Sequence, residues 1–313
     1  MEKLKSKSSI TESTAGIRVN GHAKGTAAAR LEIKKTYKLY IGGKFPRTES
    51  GRYYRLEDDN RNIIANICRS SRKDFRDAVV AARKAQDEWA RRSAFNKGQV
   101  FYRIAETLEG RRPQFVATMV LQGYNEARAV AEINASVDRL LYYAGWSDKY
   151  QQVFSSVNPV ESSHFNFSYP EPTGVVSVIA TEQNALIGLV SAISSAVIGG
   201  NAVVVLASSL HPLTAIEFAE VLVASDVPGG IINILTGFSN ELHAHFSSHM
   251  DVNAVIYCRE DPAELKMIRT NASLNVKRVL HHHFSDWMSE EARNPYLIMD
   301  TQEIKTTWHP VGI

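Results

Sequence analysis

The residues of this chain that could do covalent or metal chemistry are few and poorly spaced for joint work. Its 313 residues include two cysteines, Cys68 and Cys258. They lie too far apart in sequence to form a disulfide framework or a cluster with metal-ligand spacing. Cys68 falls in a short N-terminal strand and Cys258 at the end of a later strand. Each is expected to be a small buried hydrophobe rather than a thiolate nucleophile. Three consecutive histidines, His281-His282-His283, invite a metal reading. Adjacent side chains do not face one way on a helix or strand, and zinc sites draw on wider ligand spacing. A loop or polar surface is the expectation for the triplet, with a metal site as the alternative, and the balance favours no metal. Tyr142, Tyr143 and Trp146 read as packing residues, and Arg111-Arg112 as a solvated helix end or turn.

Composition excludes several classes of partner. Lys+Arg is 36 against Asp+Glu 33, a formal charge of +3. That balance argues against nucleic acid or an anionic membrane as the main partner. The first 35 residues carry no apolar core segment, so no signal peptide is expected. The longest apolar run, 185–200, is rich in Ala, Ser and Gly and falls short of a bilayer span, so it reads as a buried helix. With two isolated thiols, a reducing, cytoplasmic setting follows. Asn134, Asn166 and Asn271 sit in Asn-x-Ser patterns, which are chance matches in that setting.

The elements that must position any site are legible along the chain. Residues 1–35 are rich in Lys, Ser, Thr and Gly without periodicity and predict a mobile arm. Short strands are expected at 37–41, turned by Gly42-Gly43, and at 63–67. Helices follow over 71–89, with Phe75, Val79, Ala82 and Gln86 on one face flanked by Ala78 and Val80, then over 95–109 and 113–150, broken at Gly123. Residues 153–169 alternate as a strand and end at Pro170-Glu171-Pro172. Buried strands at 174–180, 201–206, 231–235 and 252–257 then alternate with helices through 199, over 213–224 and over 262–270. This is the signature of an α/β fold with a doubly wound, parallel, Rossmann-like sheet. Order weakens after Val279, and 302–308 reads as an edge strand.

These stretches resemble the aldehyde dehydrogenase superfamily. Asp77-Ala78-Val79-Val80-Ala81-Ala82-Arg83-Lys84-Ala85 with Trp89 is similar to the family's first-helix signature. Tyr142-Tyr143-Ala144-Gly145-Trp146-Ser147-Asp148-Lys149 is nearly the family's wording. Pro172-Thr173-Gly174-Val175-Val176, Gly200-Asn201-Ala202-Val203-Val204, Pro212-Leu213-Thr214-Ala215 and Val227-Pro228-Gly229-Gly230-Ile231-Ile232-Asn233 follow in the family's order. The resemblance implies an NAD-binding-like domain over 36–280, carrying oligomerisation strands at 153–170. A truncated connector and a C-terminal oligomerisation strand follow over 281–313.

The departures from the family pattern bear on function. Thr181-Glu182-Gln183-Asn184 stands where the family has Pro-Trp-Asn-Phe, whose Asn helps hold the oxyanion; Gln183 marks the degenerate place. Leu206 and Ser209 replace the Lys and Glu that grip the adenosine ribose. Arg259 and Glu264 replace glycines where backbone must approach the cofactor phosphates. His282 stands where the general base Glu belongs. Only a short stretch separates Val279 from Lys305-Thr306-Thr307-Trp308, which resembles the family's terminal strand, so the catalytic domain is expected to be missing.

The resemblance therefore implies a pseudoenzyme with no catalytic residues and with NAD binding weak or lost. Its expected role is a structural or regulatory subunit of a hetero-oligomer with a catalytic aldehyde dehydrogenase. Phe154, Phe165, Phe167, Tyr169, Lys305 and Trp308 are the expected oligomerisation residues, forming an unpaired apolar edge. A homodimer contact through the helices around 142–150 is a further possibility. The alternatives are an active oxidoreductase with a divergent site and a module that senses NAD(H) without turnover.

Overall fold

The computed structural model describes residues 33–58 and 60–312. The arm expected over 1–35 lies almost wholly outside the described residues.

A small sheet opens the described chain, with β1 (Thr36–Tyr37), β2 (Tyr53–Glu57) and β3 (Ile63–Cys68) in the order β1-β3-β2. The expected strand at 37–41 is thus only two residues of ladder. Tyr40 continues as a single bridge to Ile234, because its backbone bonds the main sheet rather than β3. Helix α1 (Arg72–Arg91) starts at Ser71, whose side chain and that of Asp74 form a capping box. Asp74 also accepts from Thr48 Oγ1 at 2.6 Å and Glu49 N at 3.0 Å, which ties the preceding loop to the helix. Its buried face is Phe75, Ala78, Val79, Ala82 and Trp89. Val80, read as flanking that face, is exposed. Trp89 Nε1 donates to Val197 O at 2.8 Å.

Helices α2 (Ala94–Gly110), α3 (Arg112–Leu121), α4 (Glu126–Trp146) and the short α5 (Tyr150–Phe154) follow. Gly123, at φ +93°, makes the turn between α3 and α4. The parallel unit is β6 (Val175–Ile179), α6 (Ile187–Ile198), β7 (Ala202–Leu206), α7 (Pro212–Val223), β8 (Ile232–Leu235), α8 (Ser239–Ser248), β9 (Ala254–Tyr257), α9 (Pro262–Ser273) and β10 (Arg278–His281). Its five strands run in the order β10-β9-β6-β7-β8, and every pair is parallel. The residues of β6, β7, β8 and β9 are all buried, as a sheet with both faces covered requires. The chain winds outward through β7 and β8, then returns to lay β9 on the other side of β6. The topological switch point therefore lies between β6 and β9. No helix among the described residues is long and apolar enough to cross a membrane.

Three expectations need correction. A fifth parallel strand, β10, is not among those expected; its register on β9 runs from Arg278–Ala254 to His281–Tyr257, and order weakens only past it. Its apolar pattern is too short to announce a strand, and only the long-range partner creates it. The alternating stretch at 153–169 is not one strand. Its first residues end α5, and the rest forms β4 (Ser156–Asn158) and β5 (His164–Pro172). Phe154 therefore packs its ring 5.2 Å from Tyr296 beside α10 (Tyr296–Met299) rather than lying on a strand. Lastly, β5 is no free edge, because β11 (Gln302–Pro310) pairs along its whole length in the order β11-β5-β4.

Two contacts join the layers. Asn201 Nδ2 donates to Thr301 O at 3.0 Å while its Oδ1 accepts from Gly174 N at 2.8 Å, linking β6, β7 and β11 at their ends. Gly229 meets the Gly42-Gly43 turn backbone to backbone. A Cβ on Gly229 would lie 2.6 Å from Gly42 O and 3.3 Å from Gly43 Cα. Neither atom is the end of a flexible side chain, so the backbones would have to part. Gly229→Ala is expected to lower stability by about 1–3 kcal/mol, measured as a lower urea midpoint with an unchanged slope.

Candidate functional site

Open α/β sheets bind ligands outside the carboxyl ends of their strands at the switch point. The donors available there are the amides at helix N-termini and in the loops that follow the strands. In this chain, acidic side chains of the protein take three sets of them.

At the start of α6, no side chain of the N-cap residue makes a cap bond. Glu132, from the buried face of α4, accepts instead from Leu186 N at 2.8 Å and Ile187 N at 3.1 Å through Oε1. Its carboxyl is fully buried. Burial pushes its pKa above the usual carboxyl range, against the lowering effect of these two amide bonds. At the start of α9, Asp261 accepts from Ala263 N at 2.9 Å and Glu264 N at 3.1 Å. In the loop after β7, Glu182 accepts from Ser209 N at 2.7 Å, Leu210 N at 3.2 Å and Ser208 Oγ at 2.9 Å through Oε2, and from Ser209 Oγ at 3.1 Å through Oε1.

Arg259 completes the third set. Its Nη1 lies 2.6 Å from Glu182 Oε1, and its Nε donates to Ala180 O at 2.9 Å. The side chain thus reaches from the end of β9 to the end of β6, across the switch point itself. A cavity of about 330 Å³ remains beside it, lined by Thr181, Glu182, Asn184, Cys258, Arg259 and Trp287 among others.

Of the other degenerate positions, Gln183 lines the same cavity and the rest lie elsewhere. Gln183 is exposed in the loop after β6, Leu206 is the fully buried last residue of β7, and Ser209 is held by Glu182. Glu264 does not line the cavity. Its carboxylate bonds Ser239 Oγ, accepts from Tyr257 OH at 2.9 Å and sits 3.4 Å from His243 Nδ1, holding α9 against α8. The side chain of Glu264 thus turns toward the neighbouring helix rather than into the cavity.

The three histidines point to three partners. His281 Nε2 is 2.9 Å from Arg259 O, His282 Nε2 is 2.7 Å from Asp300 Oδ2, and His283 Nε2 is 3.0 Å from Glu260 Oε1. His282 is buried, so the reading of the triplet as polar surface holds only for His281 and His283. Both cysteines are free and buried. Burial raises the Cys68 thiol and pushes Cys258 up to about 12, although Arg259 pulls the latter down. A thiol held protonated at neutral pH is a poor nucleophile.

Past β10 the chain runs to α10 through a connector pinned by Arg139 of α4. This guanidinium is buried, and burial lowers its pKa. It donates to Trp287 O at 2.9 Å and Ala292 O at 2.5 Å, and also bonds Ser191 Oγ. Trp287 is buried against the edge of Phe284. Glu132 and Arg139 escaped the sequence reading, yet a signal was present. Both fall in phase with Ala129, Ile133, Ser136, Leu140 and Tyr143 on the buried face of α4, where an unpaired charge is costly.

Residues 46–282 match the family model described as the aldehyde dehydrogenase family. The chain belongs to that family. Mouse cytosolic 10-formyltetrahydrofolate dehydrogenase is 26% identical over 263 residues, covering 81% of this chain and 29% of the relative. Aldehyde dehydrogenase family 2 member C4 of Arabidopsis thaliana is 28% identical over 265 residues, covering 83% of this chain and 52% of the relative. The fold matches that of an aldehyde dehydrogenase from Bacillus cereus solved with NAD+, with a TM-score of 0.75 and 24% identity over 79% of this chain and 51% of that one. Lactaldehyde dehydrogenase of Escherichia coli gives a TM-score of 0.76 at 20% identity, over 80% of this chain and 52% of that one. The chain thus spans about half the length of these family structures. The parallel sheet is the family's NAD-binding-type domain.

The buried carboxyl of Glu132 makes stability depend on pH. Between the ordinary carboxyl range and its raised value, the folded protein holds a proton that the unfolded chain has released. Stability therefore falls as pH rises through that window. Glu132→Gln keeps an acceptor for the α6 amides without the titration, so urea midpoints measured across the window should lose that slope. Glu132→Ala leaves the amides unpaired and should lower stability by about 1–3 kcal/mol.

Proposed function

We propose that this chain is a non-catalytic member of the aldehyde dehydrogenase family. In this reading it serves as a structural or regulatory subunit that assembles with a catalytic, NAD(P)-dependent aldehyde dehydrogenase in the cytoplasm. The observation that carries the reading is the occupation of the crevice donors by Glu132, Asp261 and Glu182, with Arg259 bridging the ends of β6 and β9. A dinucleotide diphosphate draws on amides of this kind, and acidic side chains already bonded to them compete for the same donors. The residues do not fit the cofactor of the parent class, an oxidoreductase acting on aldehydes. The two buried thiols favour the same conclusion for covalent chemistry, and free cysteines suit a reducing compartment.

The surface offered to a catalytic partner is the aromatic face of the β4–β5–β11 sheet. Cross-strand partners share a face, so Phe165, Phe167 and Tyr169 lie on one side with Val157, Thr307 and Lys305. Phe165 is 45% exposed and Val157 66% exposed. A shallow cavity of about 360 Å³ runs along this face. Trp308 pairs with Asn166 and lies on the opposite side, so the six expected oligomerisation residues do not form one patch. An exposed aromatic row of this kind is an association surface.

Two measurements test the reading. Calorimetry with NAD and NADH should give no saturable binding at about low-micromolar concentrations, and the purified chain should form no NADH from aldehydes. Tight binding together with turnover would overturn the proposal, and binding without turnover would favour a sensor of the cofactor. On the assembly side, a catalytic aldehyde dehydrogenase co-expressed with this chain should elute with it on sizing. Phe167→Asp should release the complex, because it places a charge in the apolar contact.

A further inference from the structure

A second cluster of ionisable side chains lies away from the crevice, where α8 ends and α1 begins. Helix α8 carries the chain from the end of β8 to the start of β9. Its last turn therefore stands at the amino ends of the parallel strands, at the opposite end of the sheet from the switch point. A cavity of about 280 Å³ opens there, lined by Arg72, Phe75 and Arg76 of α1 and by His245, Ser248 and His249 at the end of α8, among others. Phe75 is buried and fixes the rings around it. It stacks on Phe246 at 4.3 Å and meets His249 edge-on at 5.7 Å.

No carboxylate lines this cavity. Arg72 and His245 make no side-chain hydrogen bond or ion pair with the described residues. His249 Nδ1 accepts from Asp251 N at 3.2 Å, which leaves Nε2–H of the neutral ring as a donor. Burial is the largest cause that lowers the pKa of both rings. Lys277, Arg72 and Arg76 add to it at His249, against the raising effect of Asp251. Arg72, His243 and His249 add to it at His245. Two of the surrounding charges are already engaged. Asp77 lies 3.8 Å from Arg76 Nε but also 3.3 Å from Lys73 Nζ, and Lys277 Nζ donates to His249 O at 2.6 Å. The carbonyl end of α8 adds only about half a negative charge. The two arginines are therefore not balanced within the cluster.

We propose that this cavity binds a phosphate dianion, free or as the head group of a phosphomonoester. The charge of the dianion matches the two arginines, whereas a carboxylate would leave one of them unpaired. Guanidinium forks suit phosphate oxygens, and His249 Nε2–H and the Ser248 hydroxyl add neutral donors. A polynucleotide is a poorer match, because the cationic groups are confined to one cavity and the chain's formal charge is only +3. Protonation of His245 and His249 raises the positive charge of the site, and a bound dianion in turn stabilises the protonated rings. Binding thus takes up protons between the lowered pKa values of the free rings and the higher ones of the complex. Affinity therefore falls as pH rises through that window. The proposal does not rest on the subunit role, and no partner chain enters its test.

Sulfate is the first probe, because it stays a dianion throughout, while a phosphomonoester loses its second proton at about pH 6. Calorimetry of the full chain with sodium sulfate at constant ionic strength should show one saturable site at about pH 5.5, weakened about fivefold at about pH 7.5. In the same titration followed by NMR, sulfate should raise the pKa of both His245 and His249. Arg72→Gln should weaken binding about tenfold through loss of a charge-assisted contact. His245→Gln should flatten the pH dependence. Lys266→Gln, which removes the same charge from an exposed position of α9, should leave binding unchanged. Inorganic phosphate and glycerol 3-phosphate should both displace sulfate, and the tighter of the two names the source of the phosphate group. No saturable binding, a sulfate affinity that is flat or rises with pH, or Arg72→Gln binding as Lys266→Gln does overturns the proposal. The ring titration needs no substitution, so histidine signals that ignore sulfate overturn it whatever the variants do.

Discussion

A parallel sheet covered on both faces aims its helix N-termini and strand-end loops at one edge, where backbone amides must find acceptors or lose the free energy of burial. The character of this chain's crevice depends on how that demand is met. In a sheet that binds a dinucleotide, the ligand's phosphates and ribose can supply acceptors. Here Glu132, Asp261 and Glu182 supply them from within the chain. Arg259 pairs with Glu182 while spanning the switch point, and a cavity remains beside it.

Helix α4, which supplies the acceptor for the start of α6, also organises the chain beyond the parallel sheet. Glu132 and Arg139 lie about two turns apart on its buried face. One meets the start of α6, and the other holds the carbonyls of Trp287 and Ala292. The connector between β10 and α10 packs on the helical layer because a buried guanidinium needs those acceptors. With Trp287 closing one side of the crevice cavity, the connector is a wall of the site as well as a link to β11.

The β4–β5–β11 sheet stands apart from the ligand question. Pairing β11 along β5 in the same chain satisfies one whole edge of the long strand and leaves the outer edge of β11 without a strand partner among the described residues. It also separates the large apolar residues into two surfaces. Phe165, Phe167 and Tyr169 face one way, while Ile304 and Trp308 face the other.

The sequence by itself determined the family, the alternation of the parallel unit and the positions of its four core strands. Those features are local or quasi-local: buried runs of β-branched residues, the helical periodicity over 71–89, and a glycine break at 123. It also marked Gln183, Leu206, Ser209, Arg259, Glu264 and His282 as departures from the family pattern. Only the tertiary structure decided what those departures do. Strand β10 exists because β9 accepts it, and no local pattern of four residues announces that pairing. Glu264 turned to α8 and His282 to Asp300, while Glu182 and Glu132 met amides 27 and 54 residues away in the chain. Such contacts are set by which carboxyl the packed elements bring within hydrogen-bond reach of an unpaired amide, and residue type alone does not carry that distance.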